Sequence, residues 1–180
     1  MAEFGLENET RPIVVWMARV TAVKGPERVI EIAKAMPDVR FLMVGGGDLF
    51  EIMQKRAPEN LTLLGWQIPE KIWPIADVAL STSHNEGIPI SIIEAQMAGV
   101  PVIAASAGAI SEIVVDGKTG FVTSNEVTQL VFWIRRILDS NELKERLSLG
   151  SQQSFIEKFH IDRFVIEYLR IYANVRQLIP

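Results

Sequence analysis

Short apolar runs, each too brief for a helix, recur along this chain and alternate with longer stretches of helical period. They are Ile13–Met17, Val39–Val44, Leu61–Leu64, Val78–Ser81, Pro101–Ala104 and Gly120–Val122. Four are rich in Val or Ile, as strands buried on both faces require. Strands alternating with helices predict an α/β fold, a doubly wound parallel sheet of about six strands with helices on both faces. Pro26 is expected to open one helix, with Val29, Ile32, Ala33 and Met36 as its apolar face, and Pro89 another, with Ile90, Ile93 and Met97. After Ser124 the runs stop, and the remainder reads as three helices. The last carries a stripe of Phe164, Tyr168, Leu169 and Tyr172 that reads as packing.

At 180 residues and 48% hydrophobic, the chain can bury a core of ordinary size. The expected organisation is a tail over 1–11 and one domain over 12–180, with the last few residues as a second tail. Lys plus Arg number 18 against 22 Asp plus Glu, a net charge of −4, which argues against nucleic acid as a partner. There is no Cys and only His84 and His160, so neither a thiolate nucleophile nor a zinc cluster is expected. The opening residues are acidic where a signal peptide is basic, and no apolar run suits a membrane span. A cytoplasmic protein is the simplest expectation.

In an open parallel sheet, ligands gather at the carboxyl ends of the strands, where loops and helix N-termini converge. Four loops bring chemistry to that edge. In "MARVTAVKGPERVIEIA", Arg19 and Lys24 lie between a strand and a proline-started helix, a combination that suits an anion. Solvated surface charges explain it equally well. In "FLMVGGGDLFEIM", Gly45, Gly46 and Gly47 lead to a helix with an expected cap near Asp48. The Gly-x-Gly-x-x-Gly fingerprint of dinucleotide binding is incomplete there, and a tight turn accounts for the glycines better.

The third loop, "SHNEGIPISIIEAQ", is the richest. On one continuous helix Glu86 and Glu94 would lie about 80° apart around the axis, but Pro89 forbids that helix. Glu86 therefore sits in the loop and Glu94 on the helix wall, able to touch different parts of one elongated ligand, with Gly87 letting it lie against the backbone. A phosphate on the helix N-terminus, a sugar hydroxyl on Glu86 and a ribose diol on Glu94 is one account. A glycoside-hydrolysing carboxylate pair is another, and a surface glutamate beside a first-turn acid is a third. His84 reads as a loop histidine. The fourth stretch, "SAGAISEIVVDGKTGFV", offers Gly108 and Ala109, small enough for a phosphate to approach, though a plain loop explains them too.

The segment "NEGIPISIIEAQMAGVPVIAASAGAISEIVVDGKTGFV" resembles the glutamate-x7-glutamate region of retaining glycosyltransferases of the GT-B fold, glycosyltransferase family 4 or group 1. "ARVTAVKG", "FLMVGGGDL" and "NLTLLGW" followed by "ADVALSTS" are similar to that family's earlier loops in the same order, so the likeness covers roughly 13–125. The resemblance implies the C-terminal, Rossmann-like half of such an enzyme, which holds a nucleoside diphosphate sugar while an N-terminal half holds the acceptor. It implies Arg19 and Lys24 on the diphosphate and leaving phosphate, Glu86 at the donor sugar and Glu94 at the ribose. Gly87, Ile88 and Pro89 would meet sugar and phosphate, the nucleobase would lie near Gly65, Trp66 and Gln67, and Gly108 would sit beside the phosphates. No metal or other cofactor is implied. Ala109 departs from the usual second glycine and narrows the phosphate site.

The chain alone is then expected to bind nucleotide and transfer sugar poorly or not at all, for want of the acceptor half. The alternative is a binding or interaction module without catalysis. A nicotinamide-dependent enzyme built on Gly45–Gly47 is a weaker reading, for want of the full fingerprint.

Overall fold

The computed structural model describes residues 2–178. Its strands are β1 (Ile13–Met17), β2 (Arg40–Val44), β3 (Leu61–Gly65), β4 (Val78–Ser81), β5 (Val102–Ala105) and β6 (Gly120–Thr123). Its helices are α1 (Pro26–Ala35), α2 (Phe50–Arg56), α3 (Pro69–Ile72), α4 (Ile90–Met97), α5 (Ile110–Ile113), α6 (Val127–Leu138), α7 (Asn141–Phe159) and α8 (Ile161–Leu178). The strands form one sheet in the order β3-β2-β1-β4-β5-β6, every neighbouring pair parallel. This is the Rossmann-like, doubly wound arrangement, and strand order reverses between β1 and β4.

Alternation along β1 shows how the sequence covers both faces. Val14 and Trp16 enter one core with Val29, Ile32 and Ala33 of α1 and Leu130 and Ile134 of α6. Ile13 and Val15 enter the other, with Ile72 of α3, Ile92 and Ala95 of α4, and Ile110 and Ile113 of α5. Each Val, Leu or Ile among them, withdrawn from water, contributes about 1.5–3 kcal/mol. The stack of Phe121 from β6 on Trp133 from α6, centroids 3.9 Å apart, closes the first core at the sheet edge.

Four sequence expectations differ from the structure. The opening residues do not hang free as a tail: Leu6 is 1% exposed in the second core, and Glu9 pairs with Arg11. The expected tail at the other end falls largely outside the described residues. The N-cap of α2 is Leu49, one residue beyond Asp48, and no side chain caps the helix. Helix α4 buries Ile92, Ala95 and Gln96, leaving Ile90 and Met97 exposed, because "ISIIEAQM" is apolar on more than one face. The stripe on α8 does not pack: Phe164, Tyr168, Leu169 and Tyr172 are all exposed.

Candidate nucleotide-sugar site

The point where strand order reverses brings the loop after β1 against the loop after β4. The joint is a buried hydroxyl. Thr82 Oγ1 accepts from Trp16 Nε1 of β1 at 2.9 Å and lies 3.0 and 2.9 Å from the carbonyl oxygens of Lys24 and Gly25. The amide of His84 donates to the Val23 carbonyl at 2.9 Å, a second tie between the loops. His84 itself is an exposed loop residue, as expected.

This joint places Lys24 and Glu86, 62 residues apart in sequence, in direct contact. Lys24 Nζ donates to both Glu86 carboxylate oxygens at 2.7 Å, and Ser83 Oγ donates to Oε1 at 2.6 Å. The two side chains are only 18% and 7% exposed, so these charge-assisted bonds are largely shielded from water. From the far side the loop after β5 supports Glu86, whose carbonyl accepts from the Ala109 amide at 3.0 Å. A Cβ on Gly108 would collide with that same carbonyl oxygen, and its φ of 53° is left-handed. Gly108 is thus a packing contact under Glu86.

Arg19 is exposed, with no carboxylate in ion-pair range among the described residues. It lines a hollow of about 280 Å³ with Gly45, Trp66, Gln67, Pro69 and Ser91. Helix α4 begins beside it, Ser91 of its first turn lining the hollow, and Pro89 at the N-cap offers no side chain to the free amides of that turn. Ile88 is half-exposed, and the space where a Gly87 side chain would stand is open. The glycine loop is explained from within: side chains on Gly45 or Gly47 would strike the Ala18 or Val20 carbonyl, and Gly46 lies against the Trp66 indole. Gly65 turns the chain here, its carbonyl accepting from the Gly45 amide at 2.7 Å.

Glu94 lines an adjoining hollow of about 210 Å³ with Pro69, Glu70, Trp73 and Met97. Burial pushes its carboxyl above the ordinary value, the Trp73 indole N–H draws it partly back, and Glu70 adds to the rise. That indole nitrogen is buried and makes no hydrogen bond of normal geometry. The two hollows share Pro69, and the first lies at the carboxyl ends of β1 and β2.

Of the residues singled out from sequence, Lys24, Glu86 and Gly108 thus form one cluster, Arg19, Trp66 and Gln67 border the first hollow, and Glu94 borders the second. Sequence reasoning missed Ser83, Thr82 and Trp73. Ser83 alone left a trace, a hydroxyl three residues before an acid. Among the described residues no group of three or more His, Cys, Asp or Glu is placed to hold a metal ion, and no helix is long and apolar enough to cross a membrane.

Comparison with known proteins identifies the family. Residues 2–153 match the model of the family described as glycosyl transferases group 1. D-inositol 3-phosphate glycosyltransferase of Mycobacteroides abscessus is 30% identical over 87% of this chain and 37% of its own length. Alpha-D-kanosaminyltransferase of Streptomyces kanamyceticus is 29% identical over 96% of this chain and 47% of its own. The chain therefore spans less than half the length of either relative. Among solved structures, Anabaena HepE in complex with UDP-glucose superposes with a TM-score of 0.87 at 21% identity, covering 96% of this chain and 51% of that one. Sucrose-phosphate synthase from Thermosynechococcus elongatus gives 0.85 at 22%, over 94% and 46%. With that family's model matched over residues 2–153, the chain belongs to the group 1 glycosyltransferases.

Proposed function

We propose that this chain is the donor-binding, C-terminal half of a retaining GT-B glycosyltransferase. It would transfer a hexosyl group from a nucleoside diphosphate sugar to a polysaccharide, glycolipid or similar acceptor, in the cytoplasm. The observation that carries the reading is the meeting of Lys24 and Glu86 at the reversal of strand order, with Arg19 from the loop after β1 and Ser91 from the uncapped first turn of α4 lining one hollow. Cations and free amides suit a diphosphate, and a carboxylate in contact with one of those cations suits the hydroxyls of an attached sugar.

In this reading the nucleobase lies against Trp66 and Gln67, and Glu94 takes the ribose diol, with the unpartnered Trp73 indole at its side. The diphosphate lies by Gly87, Ile88, Pro89 and the α4 amides. Arg19 and Lys24 stabilise charge on the leaving phosphate as the glycosidic bond breaks, so protein groups supply the electrostatics and no metal takes part in the scheme. Gly108 acts by seating Glu86. The acceptor and the groups that position it belong to a partner half, and the isolated chain binds donor with little or no transfer.

The test is thermal melting with UDP, GDP, ADP and NAD, repeated on Lys24→Ala and Glu94→Ala. A ligand at a hundred times its dissociation constant stabilises by about 2.7 kcal/mol, a rise of roughly 5–11 °C for a chain of this size. A rise with one nucleoside diphosphate that both substitutions abolish is the expected result. No rise with any diphosphate, or a preference for NAD, overturns the reading.

A further inference from the structure

We infer that Ser83 is a positioning residue: it pins one oxygen of the Glu86 carboxylate so that the other stays aimed at the donor sugar once a phosphate has drawn Lys24 away. The inference rests on the donor-site reading above and adds a residue to it.

Ser83 directly follows the end of β4 by two positions and is 3% exposed, so its hydroxyl has little freedom. Its Oγ donates to Oε1 at 2.6 Å, while Lys24 spans both oxygens at 2.7 Å. Oε1 therefore has two donors and Oε2 has one. The Glu86 main chain is held separately, by the Ala109 amide and by Gly108 packed beneath its carbonyl. Lys24 is the mobile member of the set, because a diphosphate offers it a stronger counter-charge than one carboxylate.

When Lys24 turns to the phosphate, Oε1 keeps Ser83 and Oε2 loses its donor. A shielded carboxylate oxygen without a donor is costly, and a sugar hydroxyl arriving with the same phosphate restores one. A bare nucleoside diphosphate leaves the deficit in place. The arrangement thus favours the sugar-bearing nucleotide over the bare one, and it does so only while Ser83 keeps the carboxylate from following Lys24 or turning aside.

The experiment is calorimetric titration of the chain with UDP and UDP-glucose, GDP and GDP-mannose, and ADP and ADP-glucose, reading the ratio of the two dissociation constants for whichever base binds. The native chain should favour the sugar nucleotide, and Ser83→Ala should cut that preference by about tenfold, the scale of one hydrogen bond to a charged group. Ser83→Cys, nearly isosteric but a weak donor, should give the same loss if the alanine variant does not fold, and Ser83→Thr should restore the preference. In a Glu86→Ala background Ser83→Ala should leave the ratio unchanged, which a purely structural role would not predict.

A native preference that survives Ser83→Ala and Ser83→Cys within twofold overturns the role of Ser83 while leaving the donor site standing. Equal affinity of the native chain for bare and sugar-bearing nucleotide also overturns it. Failure to bind any of the six ligands overturns the donor reading itself, and this inference with it.

Discussion

The hydroxyl of Thr82 is the joint on which the two halves of the site meet, and Thr82→Val tests that with almost no change of shape. Thr82 is 0% exposed, so its bonds have no water to replace them. Valine leaves the Trp16 indole N–H, a donor at 2.9 Å, buried without an acceptor. It also removes a donor from the Lys24 carbonyl at 3.0 Å, whereas the Gly25 carbonyl still accepts from the Arg28 amide. An orphaned buried polar group costs about 1–3 kcal/mol, so one full and one partial orphan cost about 2–4 kcal/mol, or ~4–16 °C in melting temperature for a chain of this length. Calorimetric or circular-dichroism melts measure it. In a Trp16→Phe background the indole is gone, so the same substitution should cost about 1 kcal/mol less. Nucleotide affinity should fall in parallel, because the loop carrying Lys24 loses its anchor. A Thr82→Val chain within about 0.5 kcal/mol of native, or strict additivity with Trp16→Phe, refutes the reasoning.

Gly108→Ala should destabilise by about 1–3 kcal/mol, from a left-handed backbone and a collision with the Glu86 carbonyl, and should weaken sugar-nucleotide binding; melts and titrations check both. Glu94 binds its proton more tightly folded than unfolded, so its burial costs stability that appears as pH rises above the ordinary value of 4.5. Glu94→Gln should therefore melt higher than native at neutral pH, the gain vanishing in acid, in melts taken across pH. Glu9 behaves oppositely: hydrogen bonds from Arg11 hold its carboxyl at about 2, against an ordinary 4.5. Its stabilisation is complete above the ordinary value and lost as pH falls toward about 2, so Glu9→Gln should flatten that part of an acid-unfolding curve.

The strands were legible because parallel strands covered on both faces must be apolar throughout, and the six runs matched β1 to β6 to within a residue at each end. The charged candidates drew notice for a related reason, since Arg19, Lys24 and Glu86 fall where strand ends meet helix starts and Glu94 lies on the wall of the helix that follows Glu86. What escaped was set by contacts distant in sequence. Ser83 and Thr82 look like ordinary loop residues until a lysine and a tryptophan from the first strand's end arrive beside them. Helix α4 misled because its apolar residues lie on more than one face, and the sheet, not the period, chose Ile92 and Ala95 for burial. The α8 stripe has a clear helical period, yet period alone does not say whether a covering surface lies within the same chain.

The pairing of Lys24 with Glu86 changes what alanine substitutions at this site mean. In the proposed donor site the paired charges cancel, so the field that would first draw a diphosphate comes from Arg19 and the open start of α4. Removing Lys24 subtracts a cation and also leaves an uncompensated, mostly buried carboxylate beside the proposed phosphate position. Lys24→Ala should then weaken bare diphosphate binding more than Arg19→Ala does, although Arg19 is the unpaired charge. Neutralising the orphan should recover part of the loss, so Lys24→Ala/Glu86→Gln should bind UDP, GDP or ADP better than Lys24→Ala alone, measured by titration at one salt concentration. If the double substitution is no better than the single, repulsion from Glu86 is not part of the cost, and Lys24 acts as a simple point charge.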